Sequence, residues 1–152
     1  GAAVAMRVED YYPEGKRWWV RLHEKGGKQH AMPAHHTLEA WLDAYLQAAG
    51  IVGEKRSSLF RTTRGRTGIL TADGMTRVDA WRMIRRRAIA AGLDVAVCCH
   101  TFRATGITAY LNNGGTLENA QLMAAHESPR TTKLYDRTRD EITLDEVERI
   151  AI

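Results

Sequence analysis

Hydrophobic positions along the chain follow two periods. Arg17 to Leu22 (RWWVRL) is crowded with aromatic and branched residues, and Gln29 to Pro33 (QHAMP) follows as a second short run. Between them stands Lys25-Gly26-Gly27-Lys28. Such side chains suit a pleated surface and paired glycines suit a tight turn, so the runs predict an antiparallel hairpin over 17–33. Asp10 to Tyr12 reads as a short strand ahead of it, and Pro13-Glu14-Gly15-Lys16 as a turn. From residue 36 the period lengthens. Leu38, Trp41, Leu42, Tyr45 and Leu46 recur at helical spacing within His36 to Ala49, with Trp41 expected as a packed ring and Gly50 as the stop. Val78, Trp81, Ile84 and Ala88 form a second helical stripe within Thr76 to Ala91, where Thr76 and Asp79 make a capping box and Gly92 closes the helix. The stretch between, Gly53 to Arg66, reads as a basic loop with an apolar knot at Leu59-Phe60, and Thr71 to Gly74 as another turn. Ala2 to Val8 reads as the end of an apolar helix. Asn112 to Gly115 breaks a further helical region, Asp136 to Glu141 is a polar linker, and Thr143 to Ile152 predicts an amphipathic helix carrying Leu144, Val147 and Ile150. The class this pattern predicts is α+β, mostly helical, with one small antiparallel sheet.

Composition narrows the picture little. A length of 152 residues fits one domain with a real core, and 44% hydrophobic and 26% charged residues are ordinary for a globular protein. The net charge of +4 permits a polyanionic partner without requiring one. No run approaches the ~20 apolar residues that span a bilayer. The only cysteines, Cys98 and Cys99, are adjacent and offer no disulfide framework, which fits a reducing, cytoplasmic setting. A zinc site from Cys98, Cys99, His100 and His126 is disfavoured by its spacing. No Gly-rich phosphate loop and no acidic metal cluster is visible, so neither cofactor nor metal is expected.

The candidate chemistry lies in CCHTFRATGITAYLNNGGTLENAQLMAAHESPRTTKLYDR, from Cys98 to Arg137. His100 and Arg103 are three apart and share a helix face. With Thr101 and Phe102 opening the helix, both lie near its N-terminus, where free N–H groups and the dipole attract phosphate. Arg103 adds a planar fork of donors suited to phosphate oxygens. His126 follows 23 residues later and Tyr135 nine after that. The intervening segment is polar and turn-rich before a short helical stretch, and is placed to bring a tyrosine hydroxyl to the same phosphate. Arg82, Arg85, Arg86 and Arg87 crowd the 76–91 helix and offer contacts to a nucleic-acid backbone.

His-x-x-Arg followed by Ala-His-x-x-x-x-Thr-Thr-x-x-Tyr resembles the C-terminal signature of the tyrosine recombinases, the phage integrase family. The family's second box usually reads Leu-Gly-His; here it is Ala124-Ala125-His126. The resemblance implies a helical catalytic domain of the DNA breaking-rejoining type. It implies Tyr135 as nucleophile forming a 3′-phosphotyrosyl ester, Arg103 and His126 on the phosphate, and His100 as base or hydrogen-bond partner. Lys25 at the hairpin tip would be the general acid entering the minor groove, with Lys28 the alternative. Double-stranded DNA is the implied partner, along with other copies of the chain; the 143–152 helix is expected either to pack loosely in cis or to reach another copy. Met6-Arg7-Val8-Glu9-Asp10 matches a run that in the family follows a first catalytic arginine. The expectation is therefore a catalytic domain over 1–152 that lacks that arginine and the N-terminal DNA clamp, and does not cut DNA alone. Two other classes remain open at this point. One is a metal-free phosphodiesterase using His100 and His126; the other is a non-catalytic DNA-binding module.

Overall fold

The computed structural model describes residues 1–24, 26–93 and 97–136. The expected hairpin is the centre of a three-stranded antiparallel sheet. Its strands are β1 (Tyr11–Glu14), β2 (Arg17–His23) and β3 (Gln29–Pro33), with β2 in the middle. Gly15 and Lys16 alone join β1 to β2, since Glu14 pairs with Arg17. The expected turn is thus shorter than its four-residue signal, and Pro13 sits in the edge strand, where a missing N–H is tolerated. Register puts Val20 opposite both Tyr11 and Met32, one apolar row across the sheet.

Helix α1 (His36–Ala49) follows as expected and ends on Gly50, whose left-handed φ of 68° suits a residue without Cβ. Leu42 and Leu46 are buried and Tyr45 and Ala49 pack beside them. Trp41 is 72% exposed, which corrects the expectation of a packed ring. It lies about 100° around the helix from Leu42, just outside a face that only Leu42, Tyr45, Leu46 and Ala49 occupy. The core of this part gathers Met6, Val8, Tyr11, Val20, Leu42, Leu46, Ile51 and Leu59. Leu59, from the expected apolar knot, is fully buried. The segment before β1 is two short 3₁₀ turns rather than a helix end, and it pairs with residues 57–59 through Val8 N–H to Ser57 O and Leu59 N–H to Met6 O.

Two expectations fail between the helices. The basic loop contains β4 (Arg61–Thr63), and the expected turn at Thr71 to Gly74 belongs to β5 (Leu70–Gly74), which pairs antiparallel with β4. Helix α2 (Arg77–Ala90) has the expected Thr76–Asp79 capping box. Its buried line is Ala80 and Ala88 with Ile84 half-buried, at i, i+4 and i+8; Val78 and Trp81 are exposed to one side of it. Small side chains mark the inward face here, so the apolar stripe read from the sequence was rotated.

The chain divides at residue 98 into two compact units. Gly1–Cys98 is one compact unit, and Cys99–Ile152 the other. The second opens with the exposed Cys99 at the start of α3 (Cys99–Asn112), followed by α4 (Leu117–Met123) and α5 (Pro129–Lys133). Its core is Ile107, Leu111, Ala120 and Ala124, with Tyr110, Leu117 and Tyr135 packed against it. The expected break at 112–115 is present, and Gly115 is required there: a Cβ would lie 2.1 Å from the Tyr110 ring. The expected helix 143–152 lies outside the described residues, as does Lys25. No helix among the described residues is long and apolar enough to cross a membrane.

Candidate active site

Helix α3 begins at Cys99, two residues earlier than expected, so His100 lies in its first turn and Arg103 one turn on. Along this helix His100, Arg103, Ile107 and Leu111 fall at i, i+3, i+7 and i+11, one face of a 3.6-residue period. That face is apolar and buried at Ile107 and Leu111, and polar and exposed at His100 and Arg103. The core strip of the helix therefore continues directly into its two chemical residues.

Arg103 donates from Nη1 to the carbonyl of Ala124, across from α3 to the end of α4. One of its five donors is thus spent on anchoring, the one side-chain hydrogen bond that Arg103 makes among the described residues. The carbonyl it reaches is two residues before His126. Between them Ala125 has a φ of +50°, the one described residue other than glycine in the left-handed region. The chain reverses there, and His126 N–H returns to Gln121 O at 3.1 Å while the Gln121 side-chain amide donates to His126 O at 3.0 Å. A non-glycine residue at such φ costs about 1 kcal/mol. This explains physically why glycine suits the middle position of the second box.

The His126 imidazole is half-buried. Nδ1 lies 2.9 Å from Thr132 Oγ1, and the ring stacks over Tyr135 with centroids 6.0 Å apart and planes at 21°. Burial, and then the nearby positive charge of Arg103, hold its pKa below the ordinary value of 6.5. The ring is therefore neutral at pH 7. Tyr135 follows α5, half-buried on the small core, with its N–H bonded to Thr132 O at 3.0 Å and its carbonyl accepting from Thr108 Oγ1 at 3.3 Å.

Arg103, His126 and Tyr135 are thus brought together within one unit, with His100 one helical turn from Arg103. The remaining candidates stand in the first unit. Lys28 is exposed beside the start of β3, and Arg82, Arg86 and Arg87 are exposed on α2, with Arg85 half-buried. Arg82 and Arg86, four apart, share the outer face of that helix. Among the described residues no group of three His, Cys, Asp or Glu side chains is gathered closely enough to hold a metal ion. Sequence reading gave no role to Thr132 or Thr108. Both threonines lie in the quoted stretch, but their partners are 6 and 27 residues away and only the fold reveals them.

A profile described as "Phage integrase family" matches residues 1–141. The chain belongs to the phage integrase family. Among the curated members of that family, tyrosine recombinase XerD of Chlorobaculum tepidum is 31% identical over 119 residues, covering 77% of this chain and 37% of that protein. XerD of Mycobacterium tuberculosis strain H37Rv is 34% identical over 136 residues, 88% of this chain and 41% of that protein. The chain spans well under half the length of these relatives. Among solved integrase-family folds, XerA recombinase superposes with a TM-score of 0.73 at 21% identity, covering 98% of this chain and 50% of that one. The XerH recombinase in its pre-cleavage complex with difH substrate superposes with a TM-score of 0.65 at 21% identity, covering 97% and 39%. The expected α+β breaking-rejoining fold is borne out by these likenesses.

Proposed function

We propose that this chain is the catalytic domain of a site-specific DNA recombinase that works through a covalent tyrosine. The observation that carries the reading is the gathering of Arg103, His126 and Tyr135 about one small core, rings 6.0 Å apart, in a member of the phage integrase family.

A phosphodiester repels nucleophiles with its own charge, so cleavage requires that charge to be neutralised, a nucleophile activated and the leaving oxygen protonated. In the proposed step the Tyr135 Oη attacks the scissile phosphorus. The new Oη–P bond replaces the P–O5′ bond, leaving a 3′-phosphotyrosyl ester and a free 5′ hydroxyl. The phenol proton passes to His100, and Lys25 protonates the departing 5′ oxygen. Arg103 and His126 bind the non-bridging oxygens, where negative charge grows in the transition state. Rejoining is the reverse attack by a 5′ hydroxyl, so bond energy is conserved and no external energy source is consumed. Lys28, Arg82, Arg85, Arg86 and Arg87 are assigned to the DNA backbone, and the 143–152 segment to a neighbouring copy on the same DNA.

The test is covalent capture. The recombinase containing this chain, given a nicked suicide substrate, forms an adduct that survives a denaturing gel. Tyr135→Phe binds the same DNA and forms none. An adduct persisting in Tyr135→Phe overturns the assignment, and hydrolysis without any adduct in the parent points to a simple phosphodiesterase instead.

A further inference from the structure

We propose that Thr132 is a positioning residue of this site: its hydroxyl donates to Nδ1 of His126, places the imidazole proton on Nε2, and ties that histidine to the backbone of Tyr135. The inference rests on the phosphoryl-transfer reading above and adds a residue to it.

Thr132 is 0% exposed, and among the described residues it shares the distinction of being polar and buried only with Asp10. A buried hydroxyl without a partner is costly, so its bonding is informative. Among the described residues the Thr132 hydroxyl makes one hydrogen bond, to His126 Nδ1 at 2.9 Å. The two directions of that bond differ in consequence. If the ring donates from Nδ1, the hydroxyl proton is left without an acceptor in a dry place. If the hydroxyl donates, its proton is used, Nδ1 accepts, and a neutral ring must carry its proton on Nε2. The half-buried ring beside Arg103 is neutral, so one of these tautomers holds, and the second leaves nothing unsatisfied. It is also the tautomer that lets His126 donate a hydrogen bond to a non-bridging phosphate oxygen from its other nitrogen.

The same residue acts on the nucleophile. Thr132 O accepts the N–H of Tyr135 at 3.0 Å, and Pro129 opens the helical turn that holds it. Thr132 lies six residues after His126 and three before Tyr135, so side chain and main chain of one residue set both ends of the pair. Loss of the hydroxyl therefore disturbs the histidine while leaving the backbone bond in place.

The experiment uses the recombinase that contains this chain, as wild type, Thr132→Val and Thr132→Ser. Valine keeps the shape and removes the hydroxyl; serine restores the hydroxyl. Three quantities are read: the rate of covalent adduct formation at saturating DNA, the DNA affinity, and the ¹⁵N shifts of the His126 ring. Wild type shows Nε2 protonated and Nδ1 unprotonated. Thr132→Val shows a mixture of tautomers and adduct formation slower by about 10- to 100-fold, the usual cost of removing the partner that orients a functional histidine. Its affinity is unchanged, and Thr132→Ser recovers most of the rate. Wild-type His126 protonated on Nδ1 overturns the proposal, as does a Thr132→Val rate equal to wild type. Equal losses in Val and Ser overturn it too, because packing rather than the hydroxyl would then matter. If wild type forms no adduct at all, the recombinase reading fails while the tautomer measurement still decides the role of Thr132. That measurement also decides it should Thr132→Val fail to fold.

Discussion

Each unit of the chain buries one polar side chain among its described residues, and the two choices are opposite. In Gly1–Cys98 it is Asp10, a carboxylate 1% exposed. It accepts from Arg7 N–H at 2.9 Å and Arg21 Nε at 2.9 Å, and lies 3.0 Å from His23 Nε2. Burial alone would raise its pKa, but these three partners together hold it below the ordinary value of 3.8. In Cys99–Ile152 the buried polar group is the uncharged hydroxyl of Thr132. The first unit's core is built of large side chains, while half of the second unit's buried core is alanine. A charge can be kept dry only where partners and packing are plentiful. Among its described residues, the unit that holds the candidate chemistry has a smaller core and buries one hydroxyl. Among the described residues the larger core lies in the first unit, and Arg103, His126 and Tyr135 lie in the second.

All four tryptophans, Trp18, Trp19, Trp41 and Trp81, belong to the first unit, so their fluorescence reports on it separately. The comparison breaks most sharply at Leu59. Leu59→Ala is expected to destabilise the first unit by about 4 kcal/mol, within the range for fully buried leucines. Urea unfolding followed by tryptophan emission measures it, and a loss under ~1 kcal/mol would mean the core is not centred there. Asp10→Ala comes next, at about 3 kcal/mol, because Arg21 is left partly buried without its carboxylate. If this variant is as stable as wild type in the same assay, the carboxylate is incidental to the first unit.

Acid should separate the units further. His126 has a folded pKa below 6.5, so the second unit has its full stability above pH 6.5 and loses some as pH falls through the folded value. Asp10 has a folded pKa below 3.8, so its contribution is intact above pH 3.8 and is lost only below it. Amide exchange in residues 99–136 should therefore quicken at a higher pH than tryptophan emission changes; simultaneous change would erase the distinction. The smallest effect is a gain. Ala125→Gly relieves the φ of +50° and should stabilise the second unit by about 0.5 kcal/mol, after the entropy of glycine is set against the strain. Slower amide exchange around residues 121–126 is the expected sign, and faster exchange would contradict it.

What the sequence disclosed depended on range. The hairpin, α1 and α2 carry their own periodicity and caps within a few residues, so they were legible. The β4–β5 pair was not: Arg-Thr-Thr and Leu-Thr-Ala-Asp-Gly are short and polar, and Asp-Gly imitates a turn. Their pairing is a fact about two segments at once. Trp41 misled because a large apolar ring dominates any count of a helical stripe, whatever its angle. His100, Arg103, His126 and Tyr135 were legible because their types and separations form a motif. Thr132 was part of the same motif but silent, since its role is a single bond whose partner only the chain reversal at Ala125 brings near.

Cys99 sits at the first residue of the second unit and is exposed. A cysteine at the head of a segment is the junction that thioester ligation requires. Residues 1–98 can be made biosynthetically and 99–152 by peptide synthesis, then joined into the natural sequence with no scar. Isotopes, an unnatural tyrosine at 135, or a mirror-image alanine at 125, whose handedness matches that backbone, then become accessible one atom at a time in the unit that holds Arg103, His126 and Tyr135.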